Sequence, residues 1–208
     1  MPPELANKVA AQLASQSSDK AFRRQLKPQD ISNGLWAMAA LDFELPEQAL
    51  LMPTLVAKGL ASPELFRTQE LANSIWALAT CGSGLASQAG QELAAFCVQR
   101  RLRSLEPIQI AAVMWAVAAA GLDGPILRSS SAPSPLMPRL ADAASNRVLE
   151  FGPQEVANIA WALAIESIDR PALRDELAAA ARRLSPIFGR KELVNTIWAF
   201  AVLGQKRP

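Results

Sequence analysis

The chain has 208 residues, half of them apolar, with 21 basic and 19 acidic residues for a net charge of +2. Such content suffices for a packed core and excludes a disordered polar tract, while the near-balance of charge excludes a domain recognisable as nucleic-acid-binding from basicity alone. Histidine is absent, which removes the commonest general base and metal ligand, and the apolar residues are mostly Ala and Leu, which favour helix over strand.

From the N-terminus, an amphipathic stretch at about 3–15 is predicted to be a helix. A basic segment, "FRRQLK", carries Arg23, Arg24 and Lys27 and leads to "QDISNGLWAMAAL", from Gln29, around Trp36. Pro46 opens a helix at about 46–60. Arg67 then precedes "QELANSIWALATCG", residues 69–82, around Trp76. A helix at about 85–102 ends in "QRRLR", with Arg100, Arg101 and Arg103, and is followed by "IQIAAVMWAVAAAG" around Trp115. The low-complexity "RSSSAPSPL", 128–136, reads as a surface loop insertion. A helix at about 135–149 contains Arg147 and leads to "QEVANIAWALAI" around Trp161. The last intervening helix, about 171–184, opens at Pro171 and ends in Arg182 and Arg183. Arg190 and "KELVNTIWAFAVLG" around Trp198 complete the chain.

All five tryptophans thus occupy one motif, at intervals of 40, 39, 46 and 37 residues. A period of about 40 with two helices per period predicts an all-α fold: an α-solenoid of stacked helix pairs, 1–208 forming one array. Relative to Trp, positions −5, −1 and +2 form one apolar stripe and −4, 0 and +3 an adjacent one, so the tryptophans are expected in the core, filling the joints between repeats, the alternative being a stacking platform for bases. Small Ala residues at +1 and +3 would let neighbouring helices approach. Pro28, Pro107 and Pro153, eight residues before their tryptophans, suit a first helical turn. Asp30, Glu70, Glu155 and Glu192 at −6 suit the positive end of the helix dipole, and Gly82, Gly121 and Gly204 suit helix C-termini. Cys81 and Cys97 fall in apolar helical contexts without CxxC spacing and are expected as buried thiols, with no disulfide.

Comparing the repeats separates constant from variable positions. Position −3 holds Asn33, Asn73, Ala112, Asn158 and Asn195. Asn is a mediocre helix former, so its recurrence needs a reason: either a ladder of amides bonded to the adjacent backbone, or a row of amides able to bond bases or an extended peptide. Position −2 varies most (Gly34, Ser74, Val113, Ile159, Thr196), as a reading position that differs in each repeat would, or as a lenient semi-exposed site would. Position −7 is Gln29, Gln69, Ile108, Gln154 and Lys191. The basic groups, Arg23 and Arg24, Arg67, Arg100 with Arg101 and Arg103, Arg147, and Arg182 with Arg183 and Lys191, recur at the turn before each tryptophan helix. There they either complement helix C-termini or form a track for phosphates. No catalytic constellation, Walker sequence or metal-ligand cluster is present, so neither an enzyme nor a cofactor is expected.

The motifs "QELANSIWALA", "FGPQEVANIAWALA" and "LADAASNRVLEFGPQEVAN" resemble those of the octotricopeptide-repeat family and the related helical repeats of RNA-editing substrate-binding complex subunits and FAST-kinase-domain proteins. The resemblance rests on [LIV]-x-N-x-x-W-A-x-A over almost the whole chain, with Ala112 the one break at Asn. It implies a single-stranded RNA-binding protein acting in mitochondria or chloroplasts on RNA processing, stability, editing or translation, with protein partners in a ribonucleoprotein complex. The competing expectation is an armadillo- or HEAT-like scaffold whose Asn row holds an extended peptide. No apolar run is long enough to span a membrane, and no targeting peptide is visible. The terminal helix around Trp198 lacks a following partner, which predicts either self-association through it or a longer natural chain, of which this array is a fragment.

Overall fold

In the computed structural model the described residues are Ser15, 19–40, 46–82, 84–121, 136–168 and 170–205, and among them there is helix and no strand. The α-helices are α1 (Lys20–Gln25), α2 (Pro28–Ala40), α3 (Pro46–Ala61), α4 (Thr68–Cys81), α5 (Gly84–Arg100), α6 (Pro107–Ala119), α7 (Leu136–Ser145), α8 (Pro153–Ile165), α9 (Pro171–Leu184) and α10 (Arg190–Gln205). The tryptophans lie on α2, α4, α6, α8 and α10. The expected helix at 3–15 and the loop at 128–136 lie outside the described residues, apart from Ser15, which is helical, and Leu136, which begins α7. The short α1 ends at −11 from Trp36, where the later repeats end a 3-10 turn; Asp19 caps it, its carboxylate accepting from the Ala21 N–H at 2.7 Å.

Two compact units divide the chain, residues 1–93 and 94–208, with α5 running across the division. In the first unit α2 packs chiefly along α4 and also against α3. In the second, α6 lies along α8 and α8 along α10, while α7 packs on α6 and α9 on both α8 and α7.

One local code starts each tryptophan helix. A 3-10 turn (Pro63–Leu65, Leu102–Ser104, Val148–Glu150, Ser185–Ile187) precedes α4, α6, α8 and α10. The residue that follows is apolar and lies at −10: Phe66, Leu105 and Phe151 are buried together with the residues at −5, Leu71, Ile110 and Val156. These are the two positions of a hydrophobic staple across a helix start. The next backbone N–H donates to the side chain at −6: Lys27 to Asp30 at 2.9 Å, Arg67 to Glu70 at 2.8 Å, Glu106 to Gln109 at 3.0 Å and Gly152 to Glu155 at 2.9 Å. The −6 acids therefore act as capping acceptors as well as dipole partners.

The helix ends also repeat. Gly82 and Gly121, both at +6, take left-handed conformations with φ of 64° and 60°. At the same register after α8 stands Ser167, with φ of 57°, and the chain turns there without glycine. Gly204 departs from expectation: α10 runs through it to Gln205.

The −5, −1, +2 stripe is the core as expected, with Leu71, Ile75 and Leu78 buried in α4 and Ile110, Met114 and Val117 in α6. Ala77, Ala116, Ala162 and Ala199 at +1 are buried in the side-by-side joints. The tryptophans are not core. Trp36 and Trp198 are 50% and 44% exposed, and Trp76, Trp115 and Trp161 are partly exposed. The reason is angular. At about 100° per residue, positions −7, −3, 0 and +4 fall within about 60° of one another. On α4, α6 and α8 the stripe at −5, −1 and +2, on the other side of the helix, is buried, and this arc is the one left open.

Cys97 is buried and Cys81 half-buried, both as free thiols. Burial pushes the Cys97 thiol up to about 12, against a smaller opposing pull from Arg101, so it stays protonated and unreactive.

Candidate nucleic-acid interface

The open arc carries the constant residues of the motif. On α2 it presents Gln29, Asn33, Trp36 and Ala40; on α4, Gln69, Asn73, Trp76 and Thr80. In the second unit α6 presents Ile108, Ala112, Trp115 and Ala119, α8 presents Gln154, Asn158, Trp161 and Ile165, and α10 presents Lys191, Asn195, Trp198 and Val202. The residues at −7 and +4 are exposed, except Val202, and those at −3 are exposed or half-exposed. Burial alone therefore does not account for the recurrence of Asn at −3.

The amide ladder is not formed. Among the described residues no protein hydrogen bond engages the side-chain amides of Asn33, Asn73, Asn158 or Asn195. Each presents two donors and an acceptor to solvent beside an indole. Thr80 does bond locally, its hydroxyl donating to the Trp76 carbonyl at 2.9 Å. In the second unit the indoles also meet one another: the Trp115 and Trp161 rings stack with centroids 6.2 Å apart and planes inclined by 29°.

Position −2 behaves otherwise than a reading position must. Ser74, Val113, Ile159 and Thr196 are all buried, turned into the joints. Ser74 and Thr196 therefore lie out of reach of a ligand in solvent. Their hydroxyls are buried without a hydrogen-bond partner. Variation at −2 follows the shape of each joint; Gly34, for instance, leaves room where an added Cβ would come within 2.9 Å of Leu55 Cδ1.

The basic residues divide into two sets. Arg23, Arg24, Arg67, Arg100, Arg103, Arg182, Arg183 and Lys191 are exposed. Arg147 is a clip. It donates to the Leu105 carbonyl at 2.7 Å, to Glu150 through two bonds of 2.7 Å each, and to Glu106 at 3.4 Å. The hydrogen bond to Glu150 is the main cause that holds its guanidinium above the usual range, and the same bond holds the Glu150 carboxyl below its own. Arg101 shares the register of Arg147, fourteen residues before its tryptophan, and is half-buried. Arg147 is spent on the scaffold, whereas the exposed set remains open. Sequence reasoning missed Arg139, which lines with Arg103 and Arg147 a cleft of about 380 Å³ beside the 3-10 turn; as a single basic residue within a helix interior it gives no repeat signal.

Among the described residues no group of three or more Cys, Asp or Glu could hold a metal ion, and no helix is long and apolar enough to cross a membrane. No protein-family model matches the chain, and no curated protein matches it.

Proposed function

We propose that the chain is a single-stranded RNA-binding protein, its helix pairs stacked within each unit as an α-solenoid of about 40-residue period, with the open arcs of the tryptophan helices as the binding surface. The observation that carries this reading is the juxtaposition on one arc of unpartnered amides at −3 and partly exposed indoles at 0, with exposed cations in the segments that lead into α2, α4, α6 and α10. Unpaired bases present flat faces to stack and edges to bond, and their phosphates seek cations. A duplex hides its faces. Action on organellar RNA, within a ribonucleoprotein complex, follows from the motif resemblance and belongs to the same proposal.

The test is binding of the full chain to a labelled single-stranded RNA across a salt series. Affinity should fall as salt rises, and replacing Arg100, Arg103, Arg182 and Arg183 with Gln should flatten the slope by about 0.7 for each phosphate no longer neutralised. Salt-independent or absent RNA binding, with capture of an extended peptide instead, would assign the amide row to a protein partner.

A further inference from the structure

We infer that the Trp115–Trp161 pair receives one unpaired nucleobase by stacking, with Asn158 and Gln154 placed to bond the base edge. This rests on the RNA-binding reading and gives it a chemical mode at one joint.

The joint between α6 and α8 is closed without the indoles. Ala116, Ala118, Ala162 and Ala164 are all buried there or on the neighbouring faces of the same helices. Trp115 and Trp161 sit outside that seal, partly in solvent, with rings stacked at 6.2 Å. Trp161 therefore leaves part of its apolar ring in solvent, which is unfavourable unless a flat group covers it.

The surroundings are asymmetric. On α6 the arc has lost its amides: Ile108 is 61% exposed and Ala112 stands where the other repeats have Asn. On α8 both amides are present, Gln154 exposed and Asn158 half-exposed with its amide unengaged. One wall is thus apolar and the other offers paired donors and acceptors, which suits a group with a hydrophobic face and a polar edge. An unpartnered Asn amide can turn to match different base edges, and stacking is itself tolerant of base identity, so the joint selects for an unpaired base rather than for one sequence.

Magnitudes decide where the base lies. Wedged between the rings it would need planes about 6.8 Å apart, twice the stacking rise of roughly 3.4 Å. The centroid separation of 6.2 Å falls short of that. The base therefore lies over the exposed part of the pair and leaves the rings together.

The experiment compares the full chain and its variants on two labelled strands of about 12 nucleotides and equal length, a span within the usual single-strand site sizes. One carries bases throughout and one is abasic in its central positions. Stacking by one base changes affinity by roughly ten- to a hundredfold. Trp161→Ala should weaken the base-bearing strand by that factor and leave the weaker binding of the abasic strand unchanged. Trp161→Phe should restore most of the affinity, and Asn158→Ala should cause a smaller loss on the base-bearing strand alone. If Trp161→Ala does not fold, Asn158→Ala decides the matter by the same contrast between strands. Equal losses on both strands, or no loss on either, would overturn the stacking mode while leaving RNA binding intact. Failure of the unaltered chain to bind either strand would overturn the RNA reading itself.

Discussion

Ser74 and Asn158 show how far a residue's type can mislead about its place. Ser at a helical position invites a polar reading, yet Ser74 is fully buried and its hydroxyl has no partner; Thr196 repeats the arrangement on α10. A buried hydroxyl without a hydrogen bond is unfavourable relative to an apolar group of similar shape. Ser74→Ala and Thr196→Val should therefore stabilise the fold, by about 1 kcal/mol each, and leave RNA preference alone. Urea unfolding monitored by circular dichroism, with the binding assay repeated on each variant, checks both halves; a shifted preference would return −2 to the interface. Asn158 is legible in the sequence as an oddity, because four amides at one helical register conflict with helix propensity, but its cause is not. Choosing between a ladder and an open row needs to know which arc the neighbours leave uncovered. The tryptophans meet the same difficulty: hydrophobic periodicity gives a period, and an indole at the margin of the apolar arc satisfies it whether covered or not.

At the scale of elements, most of the plan is readable, since α2, α6 and α8 begin at the three expected prolines and α9 spans the expected 171–184. The capping register is only half visible. The acids at −6 stand out for their charge, while the apolar residue at −10 that completes the staple carries no such flag, although Leu26, Phe66, Leu105, Phe151 and Phe188 mark it in every repeat. Arg147 cannot be told from its neighbours by sequence, because its role depends on a carbonyl and a carboxylate 42 and 41 residues away. Its geometry predicts a division of labour. Arg147→Gln should lower the thermal midpoint clearly more than Arg100→Gln, which should leave it unchanged, whereas Arg100→Gln should weaken RNA binding more. Differential scanning calorimetry and salt titration separate the two. The pH dependence has a definite sign. Glu150 is held below its ordinary value by the Arg147 bond, so the clip's contribution is present above the unfolded carboxyl range and is lost as pH falls through the depressed folded value. Arg147→Gln should remove that acid sensitivity. Both partners are accessible, so the effect is modest.

At the scale of the whole molecule, the repeat is plain in the sequence, while α10 departs from the other tryptophan helices in what it buries. There Leu193, Val194 and Ile197 are 45%, 59% and 61% exposed, whereas their counterparts on α4 (Leu71, Ala72 and Ile75) are buried, as are those on α6 and α8. Thr196, Ala199 and Leu203, turned the other way, are buried, and the helix packs along α8. Val194→Lys with Ile197→Lys should therefore leave the unfolding free energy within about 0.5 kcal/mol of the unaltered chain. Ala72→Lys with Ile75→Lys should abolish folding. The chain itself should sediment faster as its concentration rises, and the α10 double variant should not. On α4, α6 and α8 the same positions are covered, so the α10 face is an apolar surface of the kind that drives association. Sedimentation separates two forms of growth: a face that meets its own copy stops at a dimer, whereas one that meets an unlike surface builds assemblies whose length follows concentration.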